Sequence, residues 1–248
     1  MSTQTLSGKV ALVTGGSRGI GAAIAKRLAA DGAAVAITYA SGQEKAAEVV
    51  RSIESAGGRA LAIRADNMDA GAVRSAVAET VQTLGRLDVL VNNAGIAVIA
   101  PLDQFTREDF DRSVAVNIRA AFVAAQEAAR HMADGGRIIN IGSVNADRRP
   151  FAGGSVYAMT KAAIAGLTRG LARDLGPRGI TVNNVQPGPV ETDMNPADGP
   201  FAETLKGFMA LKRYAKGNEI AAMVAYLAGP EAGFVTGASL TIDGGFAA

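Results

Sequence analysis

The chain has 248 residues, of which 48% are hydrophobic and 19% charged, and none is cysteine. The lack of cysteine excludes thiol catalysis, thiolate metal sites and redox switching, and a chain of this length buries a sufficient core without a disulfide or a metal. Because 25 Lys and Arg residues stand against 23 Asp and Glu residues, the formal charge is only +2, and we expect no nucleic-acid partner.

The apolar runs and the start of the chain bear on localisation. Residues 1–7 are polar and contain no apolar segment of the kind found in secretory signals. No apolar run approaches the roughly 18 residues that a membrane span requires. We therefore expect a cytoplasmic protein without a membrane partner.

Short β-rich apolar runs alternate along the chain with Ala-rich stretches of helical spacing. The spacing predicts strands at 9–13, 35–39, 60–63, 87–91, 137–141, 180–185 and 239–242. It predicts helices at 20–30, 44–56, 72–84, 107–132, 155–175 and 219–227. This alternation indicates an α/β fold, with residues 1–248 forming one doubly wound, Rossmann-type domain whose seven-stranded parallel sheet has helices on both faces.

One segment breaks this rhythm. Residues 187–216 contain Pro, Gly, Asp and Asn, followed by apolar residues. An irregular insertion beside a regular scaffold is typical of a lid, which we place at about 189–216. Its apolar side chains indicate a partly apolar substrate pocket, and they are Phe201, Leu205, Phe208, Met209 and Leu211.

A glycine cluster follows the first predicted strand and precedes the first predicted helix. Such a turn presents free N–H groups and the positive end of the helix dipole to an anion, and its glycines let a pyrophosphate approach the backbone. A purely structural turn is the alternative, since the Gly-xxx-Gly-x-Gly spacing differs from the common dinucleotide motif. The turn predicts a dinucleotide site formed by Gly15, Ser17, Arg18, Gly19, Ile20 and Gly21.

The end of the second strand predicts which dinucleotide binds. NAD-specific folds place an acidic residue there for the ribose 2′-hydroxyl. Here the strand ends in Tyr39, Ala40 and Ser41, with no carboxylate to repel a 2′-phosphate. Together with Arg18, which is otherwise a solvated residue of the first helical turn, this favours NADP(H).

Tyr157 and Lys161 are four positions apart in a predicted helix, so the phenol and the ammonium lie on one face. A positive charge about 4 Å away is worth about 4 kcal/mol at an effective dielectric of about 20, which would lower the phenol pKa toward neutrality. Tyr157 could then donate a proton to a developing alkoxide. Alone, the pair is also compatible with an exposed helix face.

These motifs together resemble the short-chain dehydrogenase/reductase family over nearly the whole chain. The residues that carry the resemblance are Thr14 to Gly21, Asn92 to Gly95, Asn117, Ser143, Tyr157 with Lys161, Pro187 with Gly188, and Asp243 to Gly245. The resemblance implies that Tyr157 is the acid and base, that Lys161 lowers its pKa and holds the nicotinamide ribose, that Ser143 binds the substrate oxygen, and that Asn117 anchors a relaying water. It further implies cofactor contacts by Asp66, Asn67, Asn93, Ala94, Gly95, Pro187, Gly188, Val190 and Thr192.

Several of these residues have a plainer interpretation. Ser143 is also suited to capping a turn after a strand, Asn117 to bonding the backbone, and Thr192 to a helix N-cap. His131, the single histidine, follows an Ala-rich helix, and we assign it no chemistry.

The loop between Ser143 and Tyr157 departs from the family pattern. These two residues are 14 positions apart, one more than is usual, and the loop contains Arg148 and Arg149. Such a pair is commonly a solvated surface feature, but at the mouth of a site it would attract an anionic substrate.

The leading hypothesis is an NADPH-dependent oxidoreductase acting on a ketone or a secondary alcohol. The alternative within the enzyme class is a 3-oxoacyl-carrier-protein reductase, although residues 131–136 lack the basic cluster that would bind an acidic carrier. A second alternative is a nucleotide-binding regulator, because residues 188–199 resemble a family subgroup that has a cyclic-di-GMP-binding member.

The longest predicted helices also bear on assembly. Residues 107–132 and 155–175 carry small apolar side chains on more than one face, so the side away from the sheet needs cover. Packing of these helices between subunits, with residues 240–242 forming a second interface, predicts a homotetramer, as does the resemblance. A monomer with Ala-rich surface helices is the alternative.

Overall fold

The computed structural model describes residues 4–248 and contains a seven-stranded parallel sheet in the order β3-β2-β1-β4-β5-β6-β7. The strands are β1 Val10–Val13, β2 Ala34–Tyr39, β3 Ala60–Arg64, β4 Val89–Asn92, β5 Arg137–Ile141, β6 Thr181–Pro187 and β7 Ser239–Ile242. The predicted Rossmann-type α/β fold is confirmed, and each strand lies within two residues of its predicted bounds.

The helices connect successive strands. They are α1 Gly19–Ala30, α2 Gln43–Ser55, α3 Ala70–Leu84, α4 Arg107–Val114, α5 Ala120–His131, α6 Ser155–Leu175, α7 Ala202–Phe208 and α8 Gly217–Ala228. Of these, α7 lies within the segment predicted as a lid and was not itself predicted. None of the helices in residues 4–248 combines the length and the apolar character that crossing a bilayer requires.

The helix predicted at 107–132 is divided in the structure. A π-helical turn, Ala115–Arg119, separates α4 from α5. The wider turn changes the face that each residue presents, and such turns occur mostly at functional sites. Asn117 lies within it and is buried.

Alternate residues of each strand point into two core layers. On β1, Ala11 and Val13 belong to one layer, whereas Val10 and Leu12 belong to the other. The first layer is completed mainly by α1, α2 and α8, and the second by α3, α5 and α6. Because both faces of the sheet are covered, the central strand β1 is apolar and buried throughout, without alternation, as expected for a parallel sheet.

The strand order places a crevice at the carboxyl edge of the sheet. The order reverses at β1, which pairs with β2 on one side and with β4 on the other. In open α/β sheets, ligands bind beyond the carboxyl ends of the strands at such a switch point. The glycine cluster, which directly follows β1, lies at this position.

Candidate active site

A cleft of about 510 Å³ opens at the switch point. It brings together all the cofactor-binding residues that the sequence predicts and three of the four catalytic candidates. Its lining includes Gly15, Ser17, Arg18, Gly19, Ile20, Gly21, Tyr39, Ala40, Ser41, Asp66, Asn67, Asn93, Ala94, Gly95, Ser143, Tyr157, Lys161, Pro187, Gly188, Val190 and Thr192. Asn117 lines a small adjoining cavity instead.

The glycine turn is shaped to admit an anion. Gly15 and Gly19 have φ angles of +64° and +55°, a backbone region that favours glycine. A Cβ atom at Gly21 would lie 2.4 Å from the Gly15 carbonyl oxygen. No side chain of the described residues caps the N-terminus of α1, so its first N–H groups remain available to a phosphate.

The turn is held from β2 and β4. Thr38, which the sequence analysis did not single out, accepts a hydrogen bond from the Gly15 N–H at 3.0 Å. Asn93 donates from Nδ2 to the carbonyl oxygens of Thr14 and Gly15 at 2.9 and 3.1 Å. The Asn93 side chain therefore supports the glycine turn, and Asn93 also lines the cleft.

The end of β2 provides a cationic environment without a carboxylate of its own. Arg18 and Lys45 both approach the Asp193 side chain, whose Oδ2 lies 3.9 Å from Arg18 Nη1 and 2.9 Å from Lys45 Nζ. These two cations lower the pKa of the Asp193 carboxyl. Local sequence patterns do not predict the contact between Lys45 and Asp193, because these residues are 148 positions apart.

Two of the remaining cofactor candidates also organise local turns. Asp66 accepts from the Met68 N–H at 2.9 Å, which fixes the loop after β3. Thr192 accepts from the Asn195 N–H at 3.2 Å and so caps a tight turn rather than a helix. Both residues still line the cleft.

Lys161 and Tyr157 lie on α6 with the geometry that their spacing predicts, but the electrostatics differ. The buried Lys161 ammonium donates to the Ile141 carbonyl oxygen at 2.9 Å, and burial lowers its pKa to about 8. Desolvation raises the Tyr157 phenol pKa above its ordinary value, although hydrogen bonding to Ser143 and the charge of Arg149 oppose this effect.

The expected lowering of the Tyr157 pKa by Lys161 is therefore not observed. The reason is geometric, because Lys161 Nζ lies 5.7 Å from the centroid of the tyrosine ring and its donated bond goes to backbone. The cation that acts on the phenol is Arg149, which belongs to the loop preceding α6.

Ser143 and Asn117 both make the plainer contacts that the sequence analysis allowed. Ser143 follows β5, is buried and accepts from the Asn145 N–H at 3.1 Å while lining the cleft. Asn117 exchanges two 2.9 Å hydrogen bonds with the backbone of Ile96 and donates to Thr160 at 3.0 Å. Its carboxamide holds the loop after β4 against α6.

The predicted lid contributes unevenly to the site. Residues 192–195 and Val190 line the cleft, and α7 packs beyond them. Among its apolar residues, Met209 is buried, whereas Phe201 and Leu211 are exposed to solvent. Phe208 forms an edge contact with Phe151 at 5.7 Å between ring centroids, which joins α7 to the loop that contains Arg149.

His131 and the segment before β5 form no part of the cleft. His131 Nε2 lies 3.1 Å from Glu127 Oε1 on the same helix, α5. In that segment, Asp134 is 3.3 Å from Arg178.

Comparison with known proteins places these features in one family. The family model described as "Enoyl-(Acyl carrier protein) reductase" matches residues 15–247. A relative from Escherichia coli (strain K12), named cyclic-di-GMP-binding biofilm dispersal mediator protein, is 52% identical over 98% of this chain and 98% of its own.

Solved structures agree closely with this one. A short-chain dehydrogenase/reductase from Serratia marcescens is 61% identical with a TM-score of 0.97, covering 98% of this chain and 100% of the other. A short chain dehydrogenase from Burkholderia cenocepacia, solved in complex with NADP, is 57% identical with the same TM-score and the same coverage.

Proposed function

The chain belongs to the short-chain dehydrogenase/reductase family, and from this premise we propose that it is an NADPH-dependent oxidoreductase that interconverts a ketone and a secondary alcohol. The observation that carries the proposal is the single cleft in which Ser143, Tyr157 and Lys161 meet the glycine turn. This arrangement joins a proton donor to a dinucleotide site at the switch point of the sheet.

NADP(H) is the cofactor that fits this cleft. The uncapped N-terminus of α1 suits the pyrophosphate. Arg18 and Lys45 stand near the end of β2, where Tyr39, Ala40 and Ser41 carry no carboxylate. The NADP complex of the Burkholderia cenocepacia structure supports the same choice. When bound, NADPH supplies the hydride that reduces the carbonyl carbon.

The residues of the chain supply the proton and the orientation. The Tyr157 hydroxyl donates its proton to the carbonyl oxygen as negative charge develops there, and it takes the proton back in the reverse direction. The Ser143 hydroxyl donates a hydrogen bond to the same oxygen. Lys161, whose pKa is lowered to about 8, keeps an ammonium at neutral pH that would hold the nicotinamide ribose of the bound cofactor.

The lid and the assembly complete the proposal. Residues 189–216 cover the substrate. Residues 190 and 192–195 contact the cofactor, and α7 lies over the substrate.

A homotetramer is proposed because Phe110, Phe122 and Met159 leave large apolar surface exposed on α4, α5 and α6.

The test is oxidation of NADPH, followed by absorbance, with a panel of ketones and aldehydes. Tyr157→Phe should reduce kcat by at least about 100-fold while NADPH affinity changes little, because general acid catalysis is typically worth 10²- to 10⁴-fold. Tyr226→Phe, which alters an exposed tyrosine of α8, is the matched control. Retention of more than about a hundredth of kcat by Tyr157→Phe would exclude the general-acid role.

Binding of cyclic di-GMP is a second candidate, favoured by the name and the 52% identity of the Escherichia coli relative. Calorimetric titration of the protein with cyclic di-GMP, with and without NADP⁺, tests it. Binding that NADP⁺ abolishes would place the cyclic dinucleotide in the cleft. No heat in either titration would dismiss this candidate and leave the reductase proposal untouched.

A carrier-bound 3-oxoacyl substrate is a third candidate, since the description of the matching family model names an acyl carrier protein. Against it, two arginines beside the segment before β5 each have an acidic partner in the chain, Arg178 with Asp134 and Arg130 with Glu127. Parallel assays of one 3-oxoacyl group, carried on the carrier protein and free as a thioester, separate the two substrate types.

A further inference from the structure

Two adjacent arginines in the loop before α6 have different environments. Arg148 Nη1 donates to the carbonyl oxygens of Phe246 and Ala248 at 2.5 and 3.1 Å. Its guanidinium also lies 5.9 Å from the centroid of the Phe246 ring. The donors of Arg148 are therefore used to hold the segment after β7.

Arg149 has no such partners. Its Nε atom is buried without a hydrogen-bond acceptor, and it forms no ion pair with any carboxylate of residues 4–248. Partial burial of a cation is costly unless an anion or an acceptor compensates for the lost water. The same burial lowers the pKa of the Arg149 guanidinium.

The guanidinium lies beside the proposed proton donor. It packs directly on Gly154, where an added Cβ atom would lie 2.1 Å from the guanidinium carbon. Gly154 is the N-cap of α6, and Tyr157 follows three positions later. The charge of Arg149 is close enough to the Tyr157 phenol to act on its pKa.

Its other neighbour is the lid. The Arg149 guanidinium lies 5.2 Å from the centroid of the Phe151 ring, and that ring contacts Phe208 of α7. Arg149 is thus flanked by the start of α6 on one side and, through Phe151, by the lid helix on the other. A carboxylate that reached Arg149 would therefore lie between the start of α6 and the lid helix, close to Tyr157.

We infer that Arg149 binds a carboxylate carried by the substrate, so that the enzyme prefers carbonyl compounds with a carboxylate near the reacting carbon. The inference rests on the proposed reductase function. A guanidinium recognises carboxylates by paired charge-assisted hydrogen bonds. Because the neighbouring Arg148 is already committed to backbone oxygens, the site offers one positive charge, which matches a carboxylate better than a doubly charged phosphate.

A purely structural role for Arg149 makes a different prediction. If the side chain only fills the space over Gly154 and stacks on Phe151, its loss would affect charged and neutral substrates equally. If it acts only through its charge on the Tyr157 phenol, the loss would again be equal for both. Only a carboxylate-binding role changes the ratio between an acid and its uncharged analogue.

The experiment compares three phenyl ketones with their methyl esters. The acids are phenylglyoxylate, benzoylacetate and 3-benzoylpropionate, which place the carboxylate at increasing distance from the carbonyl. For the best acid, wild-type kcat/KM should exceed that of its ester by about 10- to 100-fold, the range of one hydrogen bond to a charged group. Arg149→Gln should bring this ratio close to one, and Arg149→Lys should retain part of it.

Two further variants guard against a folding artefact. Gly154→Ala displaces the guanidinium without removing its charge and should also lower the acid-to-ester ratio. Arg173→Gln, in the exposed last turn of the same helix, should leave the ratio unchanged. Equal losses for acid and ester in Arg149→Gln, or wild-type ratios near one for all three pairs, would overturn the inference.

A binding measurement separates this inference from the reductase proposal. Calorimetry on the wild-type protein loaded with NADP⁺ should show benzoate binding at least about 10-fold more tightly than benzamide, and Arg149→Gln should abolish the difference. If benzoate binds in this way but no ketone is reduced, the proposed function fails and the anion site stands. If ketone esters are reduced but benzoate and benzamide bind alike, the anion site fails and the reductase stands.

Discussion

The Lys161 ammonium lies 5.7 Å from the centre of the Tyr157 ring. Lys161 is buried, its pKa is lowered to about 8 from 10.5, and desolvation is the cause. The only hydrogen bond that Lys161 Nζ makes within residues 4–248 goes to the Ile141 carbonyl oxygen. No carboxylate of the described residues pairs with Lys161, so burial of the ammonium costs free energy.

This cost should appear in the pH dependence of stability. Between pH 8 and pH 10 the unfolded chain keeps the Lys161 proton while the folded chain loses it, so the free energy of unfolding rises with pH. We expect a rise on the order of 2 kcal/mol in wild type relative to Lys161→Met, measured by urea denaturation at both pH values. Equal pH dependence in the two proteins would contradict the lowered pKa. The raised pKa of Tyr157 acts in the opposite direction near pH 10, where the unfolded phenol loses its proton while the folded one keeps it. This contribution is common to wild type and Lys161→Met, so the comparison between them removes it.

Arg18 and Lys45 should determine the preference for NADPH over NADH. Both cations approach Asp193 near the end of β2, and a 2′-phosphate would offer them a stronger anion. Arg18→Ala and Lys45→Ala should each weaken NADPH binding by about 10- to 100-fold and NADH binding much less. Fluorescence titration with both dinucleotides measures this.

Lys26→Ala is the control for that comparison, because Lys26 is an exposed residue of α1. Equal use of NADH and NADPH by wild type, or unchanged discrimination in Arg18→Ala, would refute the assignment. An effect in Arg18→Ala alone would restrict the phosphate contact to the glycine turn and remove Lys45 from it.

Much of this site follows from local sequence. Each motif lies at or directly after the end of a strand, and the carboxyl ends of parallel strands share one edge of the sheet. Once the strands are predicted, the glycine turn, Ser143 and Pro187 are therefore expected to lie together. The Tyr157 and Lys161 pair follows from helical periodicity alone. These features can be predicted from short-range sequence patterns once the sheet is known to be parallel.

Other features depend on contacts that no local pattern records. The apolar pattern continues through Ala115–Arg119, so it gives no sign of the π-helical turn that buries Asn117. The helix α7 is only seven residues long, too short for a reliable period. The pKa of Tyr157 depends on its burial and on Arg149, which are properties of the packed site rather than of the residue spacing.

Gly21 should tolerate no side chain. A Cβ atom there would lie 2.4 Å from the Gly15 carbonyl oxygen and 2.5 Å from Asn93 Nδ2, so the glycine turn must shift. We expect Gly21→Ala to lower the free energy of unfolding by about 1–3 kcal/mol and to weaken NADPH binding at least about 10-fold. Gly207→Ala on α7 is the control, because nothing lies within 4 Å of the added methyl group. Similar NADPH affinities in wild type and Gly21→Ala would show that the turn is not a phosphate site.

The proposed tetramer predicts that the apolar surface of α4, α5 and α6 is covered in solution. Phe122 on α5 is 43% exposed in the single chain, which is unfavourable for a large apolar side chain unless a partner covers it. Light scattering after size exclusion at micromolar concentration should therefore give about four times the chain mass of 25.2 kDa. Phe122→Glu should reduce the mass, because a carboxylate cannot be buried unpaired between subunits. Phe201→Glu, which alters an even more exposed phenylalanine next to α7, should leave it unchanged. A wild-type mass near that of one chain would mean that these helices face solvent and that the protein is a monomer.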